Sequence, residues 1–462
     1  MNCLRWSIVR LVSPSCAAAA LLALPVTALA QVPDGWPVVS RYQFQGVGPL
    51  GGLTLVEPSG SGVVLEITGL PAELLGTSAG LASEGIASVL VEGRTGNLIV
   101  GEHALPGTST DIHVLSLSGL GVVADDVYTL GVAPVEGWVD QMAWLGDDVV
   151  FTLRNNVTTG PMVGHVLGML RPHLGPPGTP GTIVPVPLTF IPAGFMNALA
   201  VDEQQGRAWF GLNTSPLQSS IYEVSVPGDG TPAAPVLVAS LPTLIRNLAY
   251  VDGRLLAGTN GATSLWQIDL ATSPATVSPV SSQFSRVNAL AVDHVSGDVL
   301  IVDSLTNEIQ RRDAAGALTL LGSVASAPSG IAIRQSLAPY GEATAGANAY
   351  DWVLAPNPGG SPTIGNGNFS MTIASSPGTA IGVAGLSLGE AATPVPGLGF
   401  SLLLDPATLV LGETLLPAAH ASVALPIPNV PGLAGMKIYA QAVFLEPSGM
   451  FSSRGLRVTV TQ

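Results

Sequence analysis

The stretch Asn197-Ala-Leu-Ala-Val-Asp202 returns letter for letter as Asn288-Ala-Leu-Ala-Val-Asp293. A looser copy, Asn247-Leu-Ala-Tyr-Val-Asp252, lies between them. In the two close copies a glycine stands four residues after the Asp, at Gly206 and Gly297. An apolar run follows, Ala208-Trp209-Phe210 in one and Val299-Leu300-Ile301-Val302 in the other. Third runs come next, at Ile221 to Val224, Leu265 to Ile268 and Glu308 to Arg311, and fourth runs at Val236 to Ala239 and Leu318 to Leu321. Each unit reads as four short strands joined by turns over roughly 40 to 55 residues, the size of one propeller blade.

Working outward, Ser88 to Glu92, Asn97 to Val100 and Ile112 to Leu115 fit one further unit, and Gln141 to Trp144, Val149 to Thr152 and His165 to Gly168 fit another. Gly330-Ile-Ala-Ile333 opens a last innermost strand and then stops. Strands near Val38 to Phe44, Leu53 to Val56 and Val63 to Ile67 supply its missing partners, and such a closure leaves no open sheet edge. The expected count is six blades, or seven if the long stretch from Pro172 to Pro187 hides strands.

On these residues the chain resembles the six-bladed propellers of the NHL-repeat and gluconolactonase-like (regucalcin) superfamily. The resemblance covers roughly residues 36–335. It rests on the Asn-x-Leu-Ala-Val-Asp strand and on Gly297 to Ser304, and these motifs speak for architecture more than for activity.

Composition agrees. Only 10% of the residues are charged, which argues against helical surfaces. Gly (55) and Pro (38) suit a turn-rich chain, and the 47% hydrophobic content answers the worry of disorder that such numbers raise. The fold class expected is therefore all-β: an N-terminal β-propeller over 31–335, a linker over 336–347, and a C-terminal antiparallel β-sandwich over 348–462. The last unit carries turn signals every 8–12 residues and short strands near Phe369 to Ile373, Ile381 to Leu386, Ser401 to Leu404, Ala421 to Leu425, Lys437 to Phe444 and Leu456 to Val460. Tyr340-Gly341, the Gly365 to Phe369 turn, Leu425 to Asn429, Gly435 to Gln441 and Ser453 to Val458 resemble a C-terminal module of exported planctomycete-type bacterial proteins. That resemblance implies export and lineage. Here Ala343 to Ala347 lacks the cysteines such modules often carry.

Residues 1–30 have the three parts of a secretory signal: Arg5 and Arg10, the apolar run Ala17 to Leu24, and Ala28-Leu29-Ala30 before Gln31. The protein is thus expected to be secreted or held at the cell surface or periplasm. Both cysteines, Cys3 and Cys16, fall in this segment, so the mature chain has no disulfide, thiolate zinc site or cysteine nucleophile. A formal charge of −15 repels phosphate backbones, which excludes nucleic acid as a natural partner. Pro185, Pro187, Pro192 and Gly194 interrupt the apolar stretch Ile183 to Val201, so no transmembrane segment is expected after the signal.

Chemistry is sought first at the channel. Equivalent positions of successive innermost strands converge on a propeller's axis. Here they read Glu84, Asp140 or Gln141, Asn197, Asn247, Asn288 and Ser329. Converging oxygens of this kind could hold Ca²⁺ or another divalent metal. The gluconolactonase resemblance implies such a metal, with Glu84, Asn197, Asn247 and Asn288 as its ligands, although Asn288 stands where that family has an Asp. The competing reading is that each Asn caps a strand start through its own backbone neighbourhood. Asp202, Asp252, Asp293 and Asp303 read as turn-forming acids or as a ligand cluster. The six histidines, among them His103 and His113 across one hairpin, read as solvated. Trp138, Trp144, Trp209 and Trp266 read as packing between sheets or as a carbohydrate platform. Gly76-Thr-Ser78-Ala-Gly80 matches a nucleophile elbow in letters but lacks the strand–helix setting. No complete catalytic motif is present. The expected function is binding of a ligand or protein partner. A metal-dependent lactone or ester hydrolase and a structural cell-surface component are the alternatives.

Overall fold

The computed structural model describes residues 32–461 apart from 44–50, 76–83, 93–95, 146–147, 173–180, 191–193, 203–204, 216, 227–230, 252, 294–295, 326, 341–350, 354–361, 375–380, 396–400, 412–419, 434 and 447–448. The signal segment 1–30 and the Gly76 to Gly80 motif lie outside the described residues.

The repeat sets the strand pairing. Phe195–Asp202, Arg207–Ser215, Gln218–Ser225 and Val236–Leu241 form one four-stranded antiparallel sheet. Two more sheets of the same order start at Ile245–Val251 and at Val287–Asp293. The earlier chain makes two further groups of four, opening with Glu84–Val91 and with Gly137–Leu145. The last innermost strand, Pro328–Ile333, pairs with Pro37–Gln43, Val38 opposite Ala332, and Gly52–Val56 and Val64–Glu66 complete that group. Closure by the N-terminal strands is thus present. Tyr42 with Gly85 and His103 with Trp138 add short pairings that link neighbouring groups.

Each opening strand packs on the next, from Glu84–Val91 through Gly137–Leu145, Phe195–Asp202, Ile245–Val251 and Val287–Asp293 to Pro328–Ile333, and from there back to Glu84–Val91. A closed ring of first strands with sheets radiating from it is a β-propeller. Its cores lie between consecutive sheets. Trp209 and Ile221, for example, share one cluster with Leu248, Leu255 and Ile268 of the next sheet. Runs such as Val299-Leu-Ile-Val302 are buried along their whole length because both faces of each sheet are covered.

Close seating of the sheets depends on glycine. Gly101, Gly211 and Gly258 stand on second strands, opposite Ser88, Ala198 and Asn247. A Cβ on Gly258 would lie 2.5 Å from Val287 Cγ1, and one on Gly101 2.6 Å from Val139. Each missing side chain leaves room for the next innermost strand.

Several strands depart from the sequence reading. Gly121–Val132 is a strand of 12 residues with an exposed middle, so it lacks the apolar run that marks the others. Thr182–Pro185 falls inside the presumed loop from Pro172 to Pro187. The expected linker 336–347 is partly structural: Ser336 donates from its backbone N (2.8 Å) and its hydroxyl to Asp34, and Leu337–Tyr340 pairs with Gly455–Thr459. Residues 341–347 lie outside the described set. In the C-terminal unit, Trp352, Met371 and Ile373 from one sheet share a core with Ala440, Phe444, Leu456 and Val458 from another. Among the described residues no helix is long and apolar enough to cross a membrane.

Candidate functional site at the channel mouth

The register of the first strands holds the key to the site. In all six groups the pairing between first and second strand slips by one residue near the strand start. The slips fall between Ile86 and Ser88, Val139 and Gln141, Met196 and Ala198, Ile245 and Asn247, and Val287 and Ala289, and Ser329 is passed over between Gly330 and Pro328. The bulged residues are therefore Ala87, Asp140, Asn197, Arg246, Asn288 and Ser329. A bulge leaves one residue out of the ladder and re-aims its side chain. Five of these six line one open pocket at the channel mouth, whose empty space of about 420 Å³ includes open solvent. Tyr42, Trp138, Gln141, Arg154 and Arg286 complete the lining.

This register corrects two expected positions. The third repeat copy aligns through Arg246-Asn247-Leu248, one residue earlier than the shared Asp suggests. Its hairpin is shorter: Val251 pairs with Arg254, whereas Asp202 pairs with Arg207. Arg246, not Asn247, is the equivalent of Asn197 and Asn288. In the first group the ring position is Ala87, not Glu84. Glu84 pairs with Gln43 at the strand start, and its side chain lies outside the described set.

Charge at the mouth is positive. Arg154 lies 3.8 Å over the Trp138 ring and donates from Nε (2.8 Å) and from a terminal nitrogen (2.5 Å) to the buried Asp140 carboxylate. Burial pushes the Asp140 carboxyl up from its ordinary range, and Arg154 beside it pulls it back. Arg246 donates Nε to Asn260 Oδ1 at 3.2 Å. Burial lowers the Arg246 guanidinium from its usual value, and the nearby Arg154 and Arg286 lower it further. Among the described residues neither Arg246 nor Arg286 has an ion-pair partner. Three guanidiniums thus face one carboxylate, in a chain with 16 basic and 31 acidic residues. Tyr42 packs edge-on against Trp138 at 5.7 Å between ring centroids, and burial raises its hydroxyl pKa.

The expected ligand residues have other partners. Asn197 Oδ1 accepts from Asn213 Nδ2 at 2.6 Å. Asn247 Nδ2 donates to Gln141 Oε1 at 2.6 Å, which ties two first strands that are not neighbours in the ring, and its own Oδ1 is buried without a hydrogen-bond partner. Asn288 Nδ2 donates to Pro328 O at 3.1 Å. Ser329 donates to Ile86 O at 2.6 Å. Asn288 and Gln141 do meet at the mouth, but the guanidiniums there repel a cation. The donor set does not fit the Ca²⁺ or other divalent metal that the sequence suggested.

The acids at strand ends are turn formers. Asp202 accepts from Gln205 N at 3.1 Å and Asp293 from Ser296 Oγ at 2.9 Å. Asp303 is buried and accepts from the backbone N of Ser285 (2.6 Å), Arg286 (3.2 Å) and Leu305 (3.0 Å), so it fixes the segment that presents Arg286. Asp252 lies outside the described residues. Trp209 is fully buried, stacks on Tyr250 and donates to Glu223 Oε2 at 2.9 Å, as packing requires. His103 and His113 are buried at 0% and 1% exposure, not solvated. His103 lies against Trp138, behind the channel mouth.

No family model matches the chain, and no curated protein matches it in sequence. Similar solved structures include a chain of a nidogen/laminin complex, with 13% identity, a TM-score of 0.45, and 65% of this chain and 99% of that one covered. The PQQ-bound aldose sugar dehydrogenase of Streptomyces coelicolor matches with 13% identity, a TM-score of 0.39 and coverage of 60% and 90%. The periplasmic gluconolactonase of Pseudomonas aeruginosa matches with 13% identity, a TM-score of 0.40 and coverage of 64% and 98%.

Proposed function

We propose that this is an exported, six-bladed, non-enzymatic propeller that binds a small anionic ligand at its channel mouth, with the C-terminal unit as a surface or sorting module. The carrying observation is the pair Arg246 and Arg286, which share one mouth with Arg154 and with a single carboxylate, Asp140, that is already bound by Arg154. Three guanidiniums, at most partly exposed, against one carboxylate leave an excess of positive charge at the mouth, and a ligand anion offsets the cost of desolvating it. Guanidiniums match carboxylate and phosphate oxygens two at a time. Trp138 and Tyr42 give the mouth apolar walls, which suits a ligand with a carbon skeleton better than a bare inorganic ion. The kinship with NHL-repeat and gluconolactonase-like proteins rests on the repeated strands. The hydrolase alternative loses its footing with the channel cation.

Thermal unfolding of the mature protein with phosphate, citrate and gluconate tests the reading. A bound ligand at a hundred times its Kd stabilises by about 2.7 kcal/mol. At least one of these anions should raise Tm well beyond an equal ionic strength of chloride, and Arg286→Gln should remove the difference. If none does so, the anion reading is wrong.

A further inference from the structure

The first sheet holds a second cluster, away from the mouth lining. Glu102 lies on Leu98–Ala104, and Asp111 and His113 lie on Ser109–Ser118. Gly101 pairs with Ile112 and Val100 with His113, and next to this ladder the Asp111 backbone N donates to Glu102 Oε2 at 3.0 Å. Residues two apart on a strand share a face, which brings all three side chains to the same side. One ligand atom of each lies within 4.8 Å of the others, and the residues are 6%, 8% and 1% exposed.

Two atoms in this cluster lack partners. His113 Nδ1 is held by both Asp125 oxygens, at 3.0 and 3.1 Å. Its Nε2 is buried with no hydrogen bond, and so is Asp111 Oδ1. With Nδ1 taken by Asp125, Nε2 is the nitrogen left to face the carboxylates. A proton on Nδ1, bonded to Asp125, leaves a lone pair on Nε2, the arrangement that orients metal-binding imidazoles. Among the described residues Asp111 meets no arginine or lysine. Glu73, on the short helix Ala72–Leu75, also comes within 4.8 Å of His113 and Asp125. Four carboxylates thus surround a single imidazole. The buried Asp111 carboxylate, with Oδ1 unbonded, favours an opposite charge beside it.

We propose that Glu102, Asp111 and His113 bind a divalent first-row metal ion, with Asp125 as the positioning residue for His113. One imidazole nitrogen and two carboxylates suit Zn²⁺ or Mn²⁺ better than Ca²⁺ or Mg²⁺. The ion would tie the second and third strands of the first sheet together. This site is independent of the anion pocket.

The test uses tag-free mature protein, stripped with EDTA and titrated with ZnCl₂ in a calorimeter. Expected are one Zn²⁺ per chain, a higher Tm on loading, and at least tenfold weaker binding in Asp111→Asn and His113→Gln. Asp125→Asn should weaken binding about tenfold, as outer partners of metal-bound His do. Should these variants misfold, Co²⁺ loading of the wild type gives a separate reading. Visible d–d absorption that Zn²⁺ displaces supports the site. Folded wild type that binds neither ion overturns it, and so does unchanged Zn²⁺ binding in folded Asp111→Asn and His113→Gln.

Discussion

The channel mouth and the acidic cluster of the first sheet are both made by antiparallel pairing, yet they carry opposite charge and arise in opposite ways. At the mouth the ladder is broken by one bulge in each sheet, and the bulged residue turns to the axis. In the acidic cluster the ladder from Leu98 to Gly101 is unbroken, and plain alternation stacks Glu102, Asp111 and His113 on one face. Irregular pairing gathers residues from six distant stretches of chain, whereas regular pairing gathers neighbours from one hairpin. A strongly acidic chain can therefore build a basic pocket. Arg154, Arg246 and Arg286 come from three different sheets, and only the ring brings them together.

The largest expected effect breaks the balance at the mouth. Asp140→Ala leaves the partly exposed Arg154 without its carboxylate beside two other guanidiniums, and the loss should reach about 3 kcal/mol, the low end for one partner of a buried pair. Urea unfolding should show that loss, and added citrate should recover part of it. Next in size is the seating of the ring itself. Gly258→Ala puts a methyl group against Val287, and overpacking of this kind costs about 1–3 kcal/mol. The same unfolding assay applies, and anion affinity should fall with stability because Arg286 precedes Val287. The acidic cluster should respond with the opposite sign. In EDTA, Asp111→Asn removes one of several crowded carboxylates and should stabilise the protein by about 1 kcal/mol, on the scale of one desolvated polar group. A loss there would mean that the metal-free cluster is already balanced.

The smallest effect concerns Asp34, whose carboxyl is held by Ser336 and lies near Arg334. Burial raises the Asp34 pKa above 3.8, and the two Ser336 hydrogen bonds only partly reverse that. A carboxyl raised on folding stabilises the fold below its unfolded pKa, and that contribution fades as pH rises through the folded value. Asp34→Asn should therefore gain on the wild type between pH 4 and pH 7, read as the difference in urea midpoint. A difference that stays level across this range would contradict the shift.

Much of this was legible in the sequence. The Asn-x-Leu-Ala-Val-Asp copies marked three sheets, and Gly330 to Ile333 showed that the last sheet needed N-terminal strands. Gly121–Val132 was hidden because an outer strand with exposed Val123 and Val127 has no apolar run to betray it. The site was partly missed because the third copy was aligned on Asp252, when its hairpin is shorter than its neighbours', and because the first ring position was placed at Glu84 instead of Ala87. A slip of one residue turns every side chain to the other face, so Asn247 took the place that belongs to Arg246. Aligning on Leu199, Leu248 and Leu290 would have put Arg246 in the ring. The histidines were misread because burial depends on what packs over a strand, and His103 lies under Trp138 from the following sheet.

The central claim is that Arg246 and Arg286, which have no ion pair among the described residues, make the channel mouth an anion site. It is tested most directly by titrating citrate into the wild type and into Arg246→Met at two ionic strengths. The account predicts saturable heat in the wild type that weakens with salt. It also predicts at least a tenfold loss in Arg246→Met, as removing a hydrogen-bonded charge worth about 1.5–3 kcal/mol implies, with no fall in stability. Equal citrate binding in both proteins, or a stability loss in Arg246→Met that anions do not influence, would contradict it.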